Sequence, residues 1–200
     1  GIPLRLVGTL SAIAALAIGF LIATTQYRAA RWSVFLNPFD PAQYKNEGWQ
    51  PAHSLLGLAS GGIFGVGLGG SRQKWGNLPE AHTDFMLAVL GEEFGFVGIS
   101  IVIGLSFLML ACCIKIGHRA LKHHYLRAGY LAYGISIIFL LQILVNAGMN
   151  MGLMPTKGLT LPFISYGGTS LMMCAAMISL ILKIDASTQE VNPEREESNF

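Results

Sequence analysis

Charge is what this sequence has least of. Asp, Glu, Lys and Arg make up 12% of its 200 residues and hydrophobic residues 52%; a soluble domain carries about 25% charged residues. Halving that share, with a mean hydropathy of +0.53, excludes an ordinary soluble domain and points to a membrane protein. A net charge of +2 gives no basis for a nucleic-acid partner. Cysteine is scarce too. Cys112 and Cys113 are adjacent, and both they and Cys174 sit in apolar runs. No disulfide framework or zinc site is expected from them, only small packing residues. The chain does not start with Met. Arg5 ahead of the first apolar run faintly resembles a signal peptide, but the run is long for one and no small-x-small cleavage pattern follows. That run is expected to span the membrane, and the chain to be a fragment.

What is present is long apolar stretches. Four are long enough to cross a bilayer, which takes about 20 residues: 4–24, 85–114, 128–147 and 163–184. The stretch 94–114 has no charge at all. A fifth candidate, 52–70, holds seven glycines, at 57, 61, 62, 65, 67, 69 and 70. Each costs about 1 kcal/mol against Ala in a helix interior, so this segment is expected to be re-entrant or surface-lying instead. Acids are missing from 115–127, which carries Lys115, Arg119, Lys122 and Arg127. Such a short basic loop belongs on the cytoplasmic side. With four spans, 25–84 and the segment before 163 then lie on the outer side, and the Glu-rich tail 185–200 is cytoplasmic and expected to be disordered. The fold class that follows is all-α: a polytopic membrane helix bundle over 1–184 with a long extracytoplasmic loop.

The outer loop carries most of the candidate chemistry. Trp32, Phe35, Phe39, Tyr44, Trp49 and Trp75 suit a membrane interface. Asp84 stands directly before the helix that starts at Phe85-Met86-Leu87. It can cap that helix, as can Thr83. It can equally act as a carboxylate at the bilayer surface, near Arg72, Lys74 and His82. Sugar transfer needs such a carboxylate to take a proton from an attacking hydroxyl and cations to stabilise a departing pyrophosphate. Glu92 and Glu93 lie inside the apolar segment, where ionisable residues are costly and often functional. At 100° per residue Glu92 falls within about 80° of Asp84 and two turns on, so it can share the same cavity; a structural hydrogen-bonded role is the alternative. Gln142, Asn146 and Asn150 recur every four residues, one polar stripe suited to interhelical hydrogen bonding. The last outer loop, Met154 to Ser170, is broken by Pro155 and Pro162 and by Gly158, Gly167 and Gly168. Its hydroxyls, Ser165 among them, and Lys157 suit an anionic headgroup.

These residues together resemble a known family. Lys74 with Leu78-Pro79-Glu80-Ala81-His82-Thr83-Asp84-Phe85, Gly91-Glu92-Glu93-Phe94-Gly95, Pro155-Thr156-Lys157-Gly158 and Leu161-Pro162-Phe163-Ile164-Ser165-Tyr166-Gly167-Gly168 are similar, in order and spacing from Arg31-Trp32 onward, to the SEDS family (shape, elongation, division and sporulation). The resemblance covers nearly the whole chain but only the C-terminal half of a ten-helix protein. Met86-Leu87 departs from the commoner Ile-Phe within apolar types. Pro155-Thr156-Lys157-Gly158 resembles the division and sporulation branch. The resemblance implies a peptidoglycan glycosyltransferase of the bacterial inner membrane, at the division septum, that polymerises lipid II beside a class B penicillin-binding protein transpeptidase and other divisome proteins. It implies Asp84 as the catalytic residue. Arg72, Lys74, His82, Glu92, Glu93, Lys157 and Ser165 are the expected substrate-binding set. No metal-ligand spacing is visible; the cofactor expectation is limited to a divalent cation, magnesium or manganese. A lipid II flippase, an elongation-type polymerase and a division scaffold without chemistry are the competing readings.

Overall fold

The computed structural model describes residues 3–24, 34–42, 44, 48–75 and 78–197, and among them there is no strand. The segments expected as spans are largely helical: 4–24 keeps its bounds, and the other three have shifted ends. Helix α1 is Leu4–Thr24, α2 is Trp49–Gly61, α3 is Met86–Lys122, α4 is Leu126–Asn150 and α5 is Gly168–Glu197. Three of them, Met86–Lys122, Leu126–Asn150 and Gly168–Gln189, are long and apolar enough to cross a membrane. The chain divides into two compact units, Gly1–Ala52 and His53–Phe200. In the first, α1 turns Leu6, Leu10, Ile13 and Leu16 outward, and Tyr44 stacks on Phe39 at 6.5 Å and meets Trp49 at 5.6 Å. Arg31, Trp32, Gly76 and Asn77 lie outside the described residues.

The second unit is built on α3, α4 and α5. On α4, Ala132, Ile135, Phe139, Ile143, Asn146 and Asn150 are all buried. Their spacing of three and four residues puts them on one helix face. Leu110, Cys113 and Ala120 of α3 and Cys174, Ile181 and Ile184 of α5 meet the first half of that face in one apolar cluster. Lipid tails are as apolar as leucine, so burial between spanning helices brings little hydrophobic gain. Close packing and interhelical hydrogen bonds hold such bundles instead.

Helix α3 is not continuous. Gly95 has φ 67° and ψ −163° and breaks it. In an unbroken helix the Phe96 and Val97 amides would donate to the Glu92 and Glu93 carbonyls. Here the glycine-rich loop after α2 is spliced into the break. Phe96 N donates to Gly62 O and Val97 N to Ile63 O, while Val66 N donates to Glu92 O and Gly67 N to Glu93 O. Every one of these hydrogen bonds lost by the helix is replaced by one to the loop, which is what non-helical backbone requires at membrane depth. The approach is so close that a Cβ at Gly95 would collide with Gly65 N and Ile63 O, and one at Gly65 with the Glu93 carbonyl. Of the seven glycines of 52–70, Gly65 and Gly61, whose Cβ would meet the Gly91 carbonyl, are therefore there for backbone-to-backbone contact. Helix α2 has 13 residues, about 20 Å of helix, too short to span.

Two boundaries differ from expectation. The last helix begins at Gly168, five residues after Phe163, whose φ of 63° interrupts any helix there. It continues beyond residue 184 to Glu197, through the tail expected to be disordered. Asp185 in that extension pairs with Arg119 at 2.7 Å, and Thr188 is buried. The basic stretch 115–127 is mostly helix as well. It closes α3 with Arg119 and Lys122 in the last turn, where they complement the helix dipole, and turns at His123–His124 into α4.

Candidate active site

The backbone of Asp84 is clamped from α4. Asn146 Nδ2 donates to its carbonyl at 3.1 Å and Asn150 Nδ2 at 3.0 Å. Asn150 Oδ1 accepts from Ala88 N at 3.1 Å, which satisfies one amide in the first turns of α3. Asn146 Nδ2 also donates to Leu159 O at 2.6 Å, so one amide group ties the loop between α4 and α5 to the Asp84 peptide. The polar stripe therefore serves as interhelical glue, and the object it holds is Asp84. Gln142, its third member, makes no such bond: its Oε1 is buried without a partner.

The Asp84 side chain is left free of the structural role that competed for it. The residue preceding α3 is Phe85, and no side chain caps that helix. Thr83, the other candidate cap, gives its hydroxyl to Glu80 O at 3.1 Å and Glu80 Oε2 at 2.9 Å. Glu80 takes a left-handed φ of 54°, and its carbonyl also accepts from the Thr83 and Asp84 amides. This tight turn brings the Asp84 carboxylate to the loop between α4 and α5. A Cβ at Gly158 would lie 3.4 Å from Asp84 Oδ2. Exposed Lys157 stands just before Gly158 in the same loop. Asp84 is partly buried, and that desolvation, with the Glu80 carboxylate nearby, raises its pKa above the ordinary value.

Beside this carboxylate is an open cavity of about 390 Å³ lined by Lys74, Trp75, Ala81, His82, Met86, Val89 and Glu93. Lys74 Nζ is 2.6 Å from Glu93 Oε1, with the Trp75 ring 6.0 Å away. The His82 ring leans on Tyr166 at 5.8 Å. The Tyr166 amide donates to the His82 carbonyl at 2.9 Å. Leu78, Ala81, Phe85, Ala88 and Val89 bury their side chains together beneath the loop, which anchors Leu78-Pro79-Glu80-Ala81 onto α3.

The two glutamates have separate jobs. Glu92 is 2% exposed, and loop donors surround its carboxylate. Ser71 Oγ lies at 2.5 Å, Arg72 N at 3.0 Å and Gln73 N at 3.3 Å. It holds the Ser71–Gln73 turn, which sets the position of Lys74, and does not line the cavity. Glu93 does line it. Arg72 stands at that same turn. Ser165 is buried; its Oγ accepts from Leu161 N at 2.9 Å and its amide donates to Leu161 O at 3.1 Å. It shapes the loop that supports Tyr166.

The structure thus brings Lys74, His82 and Glu93 to one cavity. It sets Asp84 and the Lys157 loop together at the start of α3, and gives Glu92 and Ser165 internal partners. Sequence reasoning named Tyr166 and Gly158 only within the family motifs and, for Gly158, as a breaker of the last outer loop, and gave neither a role at the site. No group of three or more His, Cys, Asp or Glu among the described residues could hold a metal ion.

The profile of the FtsW/RodA/SpoVE family, described as "Cell cycle protein", matches residues 1–190. The protein "Probable peptidoglycan glycosyltransferase FtsW" of Acinetobacter baylyi is 77% identical over 184 residues, covering 92% of this chain and 45% of that protein. Its namesake in Thioalkalivibrio sulfidiphilus is 48% identical over 191 residues, 95% of this chain and 46% of that one. A solved structure described as "Structural coordination of polymerization and crosslinking by a peptidoglycan synthase complex" matches with a TM-score of 0.65 at 26% identity, over 94% of this chain and 51% of that chain. The chain spans about half the length of the relatives it matches.

Proposed function

Because this chain belongs to the FtsW/RodA/SpoVE family of cell cycle proteins, we propose that it is the C-terminal half of a peptidoglycan glycosyltransferase that polymerises lipid II at the outer face of the bacterial inner membrane during septal wall synthesis. Asp84 acts as general base. It takes the proton from the acceptor GlcNAc 4-hydroxyl, whose oxygen attacks the MurNAc anomeric carbon. The bond to the lipid pyrophosphate breaks, with inversion. A base with a raised pKa removes a proton more readily near neutral pH, and the raised pKa of Asp84 has that sign. Lys74, Arg72 and Lys157 offset the charge that develops on the leaving pyrophosphate.

The observation that carries this reading is the Asp84 carboxylate: its peptide is clamped by two asparagines, its side chain caps nothing, and Gly158, next to Lys157, lies against it. The described residues do not build a metal site by themselves. A magnesium or manganese ion taking part would draw most of its ligands from the pyrophosphate. The class B transpeptidase is the proposed partner, in keeping with a structural relative described as a peptidoglycan synthase complex.

The test is Asp84→Asn in the full-length protein, assayed for glycan strands made from lipid II. Loss of polymerisation in a folded variant is expected; normal synthesis overturns the assignment. The discontinuity of α3 at Gly95 favours one second reading, a lipid II transporter, since broken helices line transport sites. Lipid II translocation in vesicles without polymerisation would select it.

A further inference from the structure

At the opposite end of α3–α5 from Asp84 there is a second cavity, of about 350 Å³, between α4 and α5. Tyr125, Arg127, Ala128 and Leu131 line it from the start of α4, and Leu180, Lys183, Ile184, Ser187 and Thr188 line it from α5. The α5 residues recur at three and four positions, a single helix stripe. The cavity opens where Leu126–Asn150 begins and Gly168–Gln189 ends, which is a membrane surface for both.

We propose that this cavity binds the phosphate headgroup of an anionic phospholipid. Arg127 and Lys183 come from different helices and face one space. Neither is in an ion pair among the described residues; Asp185, two residues on from Lys183, pairs with Arg119 at 2.7 Å. The remaining wall is mostly apolar: Ala128, Leu131, Leu180 and Ile184. A cationic mouth above an apolar groove at a bilayer surface matches an anionic head with acyl chains below it. The hydroxyls of Ser187 and Thr188 donate to Lys183 O and Ile184 O, so the two cations are the phosphate donors. Arginine binds an anionic oxygen pair in a fork and lysine as a point charge, so the two together suit an anionic headgroup.

The experiment uses the full-length protein in nanodiscs of phosphatidylcholine with and without phosphatidylglycerol, carrying a photoactivatable phosphatidylglycerol probe. Wild type is expected to crosslink at the α4–α5 end. Arg127→Gln with Lys183→Gln should lower labelling at least tenfold. Arg127→Lys with Lys183→Arg, which keeps both charges, should retain it. Lys122→Gln, outside the cavity, should label as wild type. Equal labelling of the double Gln variant overturns the proposal. Equal losses from Lys122→Gln reduce it to general surface attraction and overturn it as well. Millimolar inorganic phosphate that displaces the probe assigns the site to the free ion and overturns the lipid.

Discussion

One amide group, Asn146 Nδ2, donates to the carbonyl of Asp84 at 3.1 Å and to that of Leu159 at 2.6 Å. Two loops far apart in sequence are thereby joined at the peptide that carries the candidate base. Replacing Asn146 with Ala leaves the Leu159 carbonyl without this donor and Asp84 with Asn150 alone. A buried group left unsatisfied costs about 1–3 kcal/mol. We expect a lower Tm by a corresponding amount and a fall in kcat larger than any rise in KM. An unchanged kcat in a destabilised variant would show that the clamp only supports the fold.

Asp84 also ties activity to stability through its raised pKa. The folded state binds this proton more tightly than the unfolded one, so stability falls as pH rises from the unfolded pKa through the folded one. At neutral pH the charged carboxylate is a cost to folding. Asp84→Asn removes that cost and should leave the full-length protein as stable or more stable at pH 7, while polymerisation is lost. Thermal unfolding at pH 4 and pH 7 checks the sign: the gap between variant and wild type should widen at the higher pH.

The loop spliced into α3 makes opposite predictions for two glycines. A Cβ at Gly95 has no room and meets a positive φ. Gly95→Ala should break the four exchanged hydrogen bonds and cost several kcal/mol, with Glu92 and Glu93 displaced. Gly104, in the second half of the same helix, has open space around it: a Cβ there would meet nothing within 4 Å. Gly104→Ala should be neutral or add up to about 1 kcal/mol. Proteolysis of the two full-length variants side by side measures the contrast.

Lys74 and Glu93 meet at 2.6 Å, with side chains 31% and 10% exposed. The pair lies between surface and interior, so losing one partner should cost about 1–3 kcal/mol. Lys74→Met with Glu93→Leu should recover stability without restoring synthesis, because the double variant lacks the cation for the pyrophosphate. Recovery of both would reduce Lys74 to a structural role.

The family motifs, the long apolar segments and the unsuitability of 52–70 as a span were legible because each is written in local composition. The stripe of Asn146 and Asn150 was legible from its four-residue period, though not the peptide it holds. Glu92 and Glu93 could not be separated from sequence. They are adjacent on one helix, and only the path of the loop leading to Lys74 assigns one to the turn at Ser71 and the other to Lys74. Ser165 read as a ligand hydroxyl for the same reason: its partner, Leu161 N, is set by the turn.

The sequence by itself determined that the chain is helical and membrane-embedded, and which residues of its loops carry charge. Hydropathy and charge are properties of the residues, so they survive without coordinates. Tertiary structure alone decided which of those groups remain free for chemistry. Hydrogen bonds occupy Glu92, Ser165 and Thr83 and leave the Asp84 carboxylate unspent. Donors and acceptors far apart in the chain find each other only once the loop enters the break at Gly95 and α4 closes on α3.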